Sequence, residues 1–286
     1  MAKGTLIPIG GNEDKGSEEN EIYVCDFIEE GILSRIVNES GGPDALIVII
    51  PTASSVPLEV IKGYLDAFTK LGCTNVKSLD IRTQRDAETS EALDLARTAQ
   101  CIMFSGGDQS KISKKIGQTK FHAILAERYT HETGFVIAGT SAGAMMMSHH
   151  MIAGGSSKKA FVKDAVKMRA GLSLAPQIIV DTHFIHRGRF GRLAEAVAKF
   201  PNLIGIGLAE DTGLIIKNGN EMKVIGSGMV IVFDGGSLKH NNEKILKPGT
   251  PMTMVDLRVH VLSNSDIYHL KERTITALPI GSPFER

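Results

Sequence analysis

A serine flanked by small residues, Gly139-Thr140-Ser141-Ala142-Gly143, stands between the apolar run Phe135-Val136-Ile137-Ala138 and the methionines Met145-Met146-Met147. A serine on a sharp strand-to-helix turn needs small neighbours, so that Oγ can project from the sheet and the following amide can face a reacting carbonyl. The chemistry this setting suggests is acyl transfer with Ser141 as nucleophile. A place at a helix N-terminus would favour the developing negative charge. Without its flanks the pentapeptide would read equally well as a glycine-rich turn.

A serine is a weak nucleophile without a base. Of nine histidines, His183 follows directly on the apolar strand at 178–180, in Asp181-Thr182-His183, and His186 is its alternative. His122 and His131 fall on a surface helix, and His149 and His150 follow a methionine-rich helix that leads away from the turn. His240, His260 and His269 lie in the C-terminal region. The base in turn needs a carboxylate to orient it. Glu210 and Asp211 follow the strand at 203–208, and because successive residues point to opposite sides, one of the two faces the site. The sequence leaves open which.

Ser105-Gly106-Gly107-Asp108-Gln109 also follows an apolar strand, and its glycines allow close backbone approach to a substrate. The amides of Gly107 and Ala142 would together make a two-donor oxyanion hole. Arg187, Arg189 and Arg192 fall within six positions, just after His183. Planar guanidinium groups bind carboxylates, so the cluster points to a carboxylate-bearing substrate, with Asp181 or Asp108 able to meet a positive group. The same arginines could instead form ion pairs within the protein.

The elements that must hold these residues alternate. Strands are predicted at 5–9, 46–50, 76–79, 101–104 and 135–138, and helices at 23–37, 58–71, 90–99 and 121–130. Such alternation means crossover units and a doubly wound α/β fold, a mostly parallel sheet with helices on both faces, whose ligands bind at the carboxyl ends of the strands. After about residue 201 strand-like runs are separated by hairpin signals, Asn218-Gly219 above all. One domain is expected, with a core of about 1–217 and an antiparallel extension of the same sheet over about 218–275.

The chain has 286 residues, with 32 Lys plus Arg against 32 Asp plus Glu. This balance gives no global attraction to nucleic acid, and with no Trp and 4 Tyr there is no aromatic ladder for single strands. Three cysteines in or beside apolar runs read as reduced thiols. No apolar run approaches the roughly 18 residues that span a bilayer. The N-terminus lacks the apolar stretch of a signal peptide, so a cytoplasmic protein is expected, or a secreted one whose signal has been removed. No metal-ligand spacing or nucleotide-phosphate loop occurs, and no cofactor is expected.

The blocks Ile9-Gly10-Gly11-Asn12-Glu13-Asp14, Ser105-Gly106-Gly107-Asp108-Gln109, Gly139-Thr140-Ser141-Ala142-Gly143-Ala144, Asp181-Thr182-His183-Phe184 with the arginine cluster, and Glu210-Asp211-Thr212 together resemble the cyanophycinases. Those enzymes are similar to the aspartyl dipeptidases called peptidase E, within the S51-type serine peptidases. The resemblance runs from the N-terminus to beyond residue 210. It implies a fold like that of class I glutamine amidotransferases, also flavodoxin-like, usually as a homodimer. It also implies hydrolysis of cyanophycin, a polyaspartate backbone with arginine on each β-carboxyl, to β-Asp-Arg dipeptides.

On matching positions the resemblance makes Ser141 the nucleophile, His183 the base, Glu210 rather than Asp211 the orienting carboxylate, and Gly107 with Ala142 the oxyanion hole. Gln109, Asp181, Thr182, Arg187, Arg189 and Arg192 fall on substrate-binding positions. Thr182 stands where glutamine would be expected. The rival readings are a peptidase E-like aspartyl dipeptidase and a non-catalytic protein that binds acidic peptides. A lipase-like α/β-hydrolase orders its triad serine, acid, histidine, whereas here the acid follows the histidine.

Overall fold

Short runs rich in isoleucine and valine make β1 (Thr5–Ile9), β2 (Ile47–Ile50), β3 (Val76–Ser78), β4 (Cys101–Phe104) and β5 (Val136–Thr140) in the computed structural model, which describes residues 1–16, 25–155 and 160–282. They lie in the order β1-β5-β4-β2-β3, every neighbouring pair parallel. Crossovers between them are α1 (Ile32–Glu39), α2 (Pro57–Lys70), α3 (Ser90–Thr98), α4 (Gln109–Ile116) and α5 (Lys120–His131). Alternate strand residues enter two cores. Val136 and Ala138 pack with α1 and α2, while Ile137 packs with α3, α4 and α5, so helices cover both faces as a doubly wound fold requires. Side chains of Thr89, Asp108 and Thr119 cap α3, α4 and α5 by accepting from the first-turn amides of Ala92, Ser110 and His122.

The helix expected at 23–37 begins only at Ile32; residues 23 and 24 lie outside the described residues. Between 25 and 31 the chain turns, because the Asp26 carboxylate accepts from the amides of Ile28 and Glu29 at 2.9 Å each and offers them a local alternative to a helix.

Beyond β5 come α6 (Ala142–Met145), β6 (His150–Gly155), β7 (Val166–Ala170), β8 (Ile178–Asp181), α7 (Phe190–Lys199) and β9 (Ile204–Leu208). The methionine-rich helix is therefore a single turn. The Met146 and Met147 carbonyls are taken by the amides of Leu172 and Ala175 at 2.7 and 2.8 Å, and the chain enters the β6–β7 hairpin instead.

The remaining strands are β10 (Thr212–Lys217), β11 (Glu221–Gly226), β12 (Val230–Asp234), β13 (His240–Asn241), β14 (Met254–Val255), β15 (Arg258–Leu262), β16 (Ile267–His269) and β17 (Thr274–Thr276). β10, β11, β16 and β17 continue the main sheet from the free edge of β1, all antiparallel. At the β10–β11 turn Asn218 and Gly219 both have φ 57°, the left-handed pair that a tight hairpin needs. The antiparallel part thus begins at Thr212, inside the stretch assigned from sequence to the core.

Nor does all of it extend one sheet. β12 and β15 join β9 and β8 in a separate four-stranded sheet, ordered β15-β12-β9-β8. β9 is buried along its whole length and has to be paired on both edges, by β12 along five residues and by β8 in parallel. Cys73 and Cys101 are buried and Cys25 half-buried, all as free thiols; burial pushes the Cys101 thiol up to about 12. Among the described residues, no helix is long and apolar enough to cross a membrane.

Candidate active site

Ser141 directly follows β5, which lies between β1 and β4, so the loops after those two strands border it on either side. Its backbone is at φ 50° and ψ −105°, a conformation few non-glycine residues adopt and one that singles it out from the turn around it. The surrounding turn is tight. A Cβ on Gly139 would lie 2.4 Å from the Gly143 carbonyl oxygen, which accounts for the glycine pair that brackets the serine. α6 is one turn long, so the anion-stabilising dipole expected from a helix is small here and the local amides must serve instead.

His183 follows β8 and Glu210 follows β9, the adjacent parallel strands of the smaller sheet, paired through Asp181 and Gly207. Ser141 thus comes from one sheet and the two titratable groups from the other. His183 Nε2 lies 3.1 Å from Ser141 Oγ, and His183 Nδ1 lies 2.6 Å from Glu210 Oε1. His186, the alternative base, is exposed, with Nδ1 3.9 Å from the same carboxylate oxygen. Asp211 turns inward, where it is buried and accepts from the amide of Asp14 at 3.0 Å.

Burial pushes the His183 ring below its ordinary range; the hydrogen bond and charge of Glu210 oppose this, and the charges of Arg187 and Arg189 add to it. Burial acts upward on Glu210, but hydrogen bonds from His183 and Asn12 outweigh it and hold the carboxyl below the usual range. A neutral imidazole beside an ionised carboxylate follows at neutral pH. That is the charge state a general base requires.

The two sheets are joined at this point by the loop after β1. Ile9 O accepts from the Ser141 amide at 2.9 Å, Gly10 O from the His183 amide at 2.8 Å, and Gly11 O from the Asp211 amide at 2.8 Å. Gly11 has φ 106°, and a Cβ there would stand 2.4 Å from Cε1 of the His183 ring. Glycine is what allows the imidazole to lie flush against this loop. Glu13 is buried one step on, accepting from Thr140 Oγ1 at 2.5 Å, from Tyr64 Oη, and from Lys15 Nζ at 3.0 Å. Gly10, Gly11, Asn12 and Glu13 stood in the sequence within a block that carries the family resemblance, and nothing there gave them a task.

A cavity of about 510 Å³ opens over Ser141 and His183, walled by Gly106, Gly107, Tyr64 and Arg187. Gly107, with φ 139°, lines the same cavity, and Ala142 directly follows Ser141. Of the remaining residues expected to contact substrate, Arg187 lines the cavity. Gln109 donates instead to Ile152 O at 2.8 Å. Thr182 is fully buried, and its Oγ1 has no partner among the described residues.

Asp181, Arg189 and Arg192 are brought onto one another. Asp181 is completely buried, Arg192 meets it through two bonds, one of them Nε to Oδ2 at 2.7 Å, and Arg189 Nη1 lies 3.0 Å from Oδ1. Two of the three arginines therefore spend their charge inside the protein, and Arg187 is the member of the cluster that faces open space. Among the described residues, no three His, Cys, Asp or Glu side chains assemble as a metal site.

Three comparisons bear on this arrangement. The model of peptidase family S51 matches residues 27–224. Cyanophycinases of Trichormus variabilis and of a Nostoc species are each 36% identical over 275 residues, covering 96% of this chain and 88% of theirs. That of Geminocystis herdmanii is 34% identical over 272 residues, covering 94% of both chains. Among solved structures, a peptidase from an acI-B1 Actinobacterium has a similar fold, with a TM-score of 0.61 at 21% identity over 92% of this chain and 97% of that one. A putative peptidase E protein from Listeria monocytogenes is similar in fold at a TM-score of 0.53 and 17% identity, covering 78% of this chain and 97% of that one.

Proposed function

Because this chain belongs to peptidase family S51 and is a serine-type peptidase, we propose that it hydrolyses cyanophycin to β-Asp-Arg dipeptides through Ser141, His183 and Glu210. The observation that carries this reading is the unbroken hydrogen-bonded line from Glu210 through His183 to Ser141, opening on a cavity that Arg187 borders. The substrate's identity rests on the similarity to the cyanophycinases.

In the proposed reaction His183 Nε2 takes the Ser141 proton as Oγ attacks an aspartyl peptide carbonyl, while Glu210 stabilises the imidazolium. The amides of Gly107 and Ala142 hold the oxyanion. His183 then gives the proton to the leaving amine, and water, activated by the same ring, releases the dipeptide from Ser141. Arg187 holds a substrate carboxylate as the dipeptide end enters the cavity.

The direct test is to incubate the purified protein with cyanophycin granules and identify the soluble products by mass. Release of β-Asp-Arg is the expected result. Intact polymer, together with cleavage of short aspartyl peptides, would replace the polymer with a dipeptide substrate; binding of both without turnover would make this a binding protein.

A further inference from the structure

We propose that a basic cleft on the outer side of α4 is a second substrate site, which holds carboxylates of the polymer away from the bond being cut. The inference rests on the reading above. Lys111, Lys114 and Lys115 of α4 and Arg169 of β7 line a cleft of about 620 Å³, with the hydroxyls of Ser110 and Ser113 between them. In a chain with as many anionic as cationic side chains, this is a local concentration of positive charge. Among the described residues, none of the four cations is within 4.0 Å of a carboxylate. Burial and then the charges of Arg82 and Lys111 push the Lys115 ammonium below its ordinary range, against the opposing pull of Asp80 and Asp86. Four cations against the single carboxylate of Asp108 leave the cleft with an excess of positive charge that a bound anion would offset.

Its position relates it to the catalytic cavity. Gly107 borders that cavity and the next residue, Asp108, borders the cleft. The two walls of the cleft, α4 and the β6–β7 strands, are tied together: Gln109 donates to Ile152 O, Ser113 Oγ lies 3.6 Å from Met151 Sδ, and Met151 pairs with Arg169 across β6–β7.

The ligand chemistry fits. Arginine joined through its amino group to a β-carboxyl keeps its own α-carboxylate, so the polymer offers a carboxylate on every unit, and a dipeptide-sized substrate has none to spare beyond the cavity. Lysines and an arginine spread along a helix and a hairpin suit repeated carboxylates, and Asp108 at the mouth can meet a guanidinium.

The test is the triple variant Lys111→Ala/Lys114→Ala/Arg169→Ala in the full chain, assayed on polymer and on (β-Asp-Arg)2. All three side chains are at least partly exposed, so the fold should persist. The half-saturating polymer concentration should rise roughly three- to tenfold, the yield of a few exposed charge pairs, while kcat/KM on the short substrate stays the same. An unchanged polymer response, or equal losses on both substrates, would overturn the assignment. Wild-type protein that cleaves the short substrate but leaves the polymer intact would overturn the polymer reading itself, a result separate from any effect of the variant.

Discussion

The backbones of Ser141 and His183, 42 positions apart and carried by different sheets, hang from consecutive carbonyls, those of Ile9 and Gly10. The 3.1 Å separation of Oγ and Nε2 is thereby set by main-chain bonds to one short loop rather than by the packing of two flexible side chains. Gly11 completes the arrangement by leaving room for the ring. Gly11→Ala should displace the imidazole and lower kcat by about 100-fold, the scale of an ångström's misplacement at a reacting centre. Steady-state kinetics, with circular dichroism to verify the fold, will measure it; a variant with normal kcat would mean that the ring is positioned by something else.

Glu210 and Asp211 are adjacent acids with opposite fates, one on the imidazole and one buried on the Asp14 amide. Glu210→Gln should lower kcat roughly 10³- to 10⁴-fold by spoiling the ring's tautomer and orientation, with little change in KM. Asp211→Asn should leave kcat within a few-fold and act mainly on stability. The reverse pattern would exchange their roles.

The arginine cluster divides in the same way. Asp181→Asn leaves Arg189 and Arg192 without their buried counter-charge and should destabilise the protein by about 3 to 5 kcal/mol, seen as a lower midpoint in denaturant. Arg187→Ala should leave that midpoint unchanged and raise KM. Two variants alike in stability would mean that the Asp181 network is not structural.

Activity should depend on pH through His183. The base must be unprotonated, and because its pKa is held below the ordinary value the acid limb of kcat/KM should lie below about 6.5. The Arg187 charge lowers that pKa, so its removal must raise it. In Arg187→Ala the acid limb should move to higher pH, by an amount that shrinks as salt is added. A limb that moves down or stays fixed would show that the guanidinium does not act on the ring.

Much of the fold was legible because both signals behind it are local. Buried isoleucine and valine runs alternate with helical spacing through the first 140 residues, and Asn218-Gly219 marks its hairpin. Pairing partners are not local. Nothing in Ile204–Leu208 says that it joins β12 and β8 instead of β1, and so the division into two sheets stayed hidden. Candidate site residues could be picked out by type and strand-end position, Ser141 and His183 among them. Glu210 was separable from Asp211 only through resemblance, since that choice depends on the turn after β9. The fate of Arg189 and Arg192 was undecidable for a related reason: arginines 8 and 11 positions from an aspartate pair with it only if the backbone folds them together, which here it does.

The most direct test of the account replaces the proposed nucleophile. Ser141→Ala, compared with wild type for release of soluble product from cyanophycin, should lose roughly 10⁴- to 10⁶-fold in turnover while its unfolding midpoint stays close to that of wild type. A folded Ser141→Ala protein that still releases dipeptide within about tenfold of the wild-type rate would contradict the acyl-enzyme mechanism and every role assigned around it.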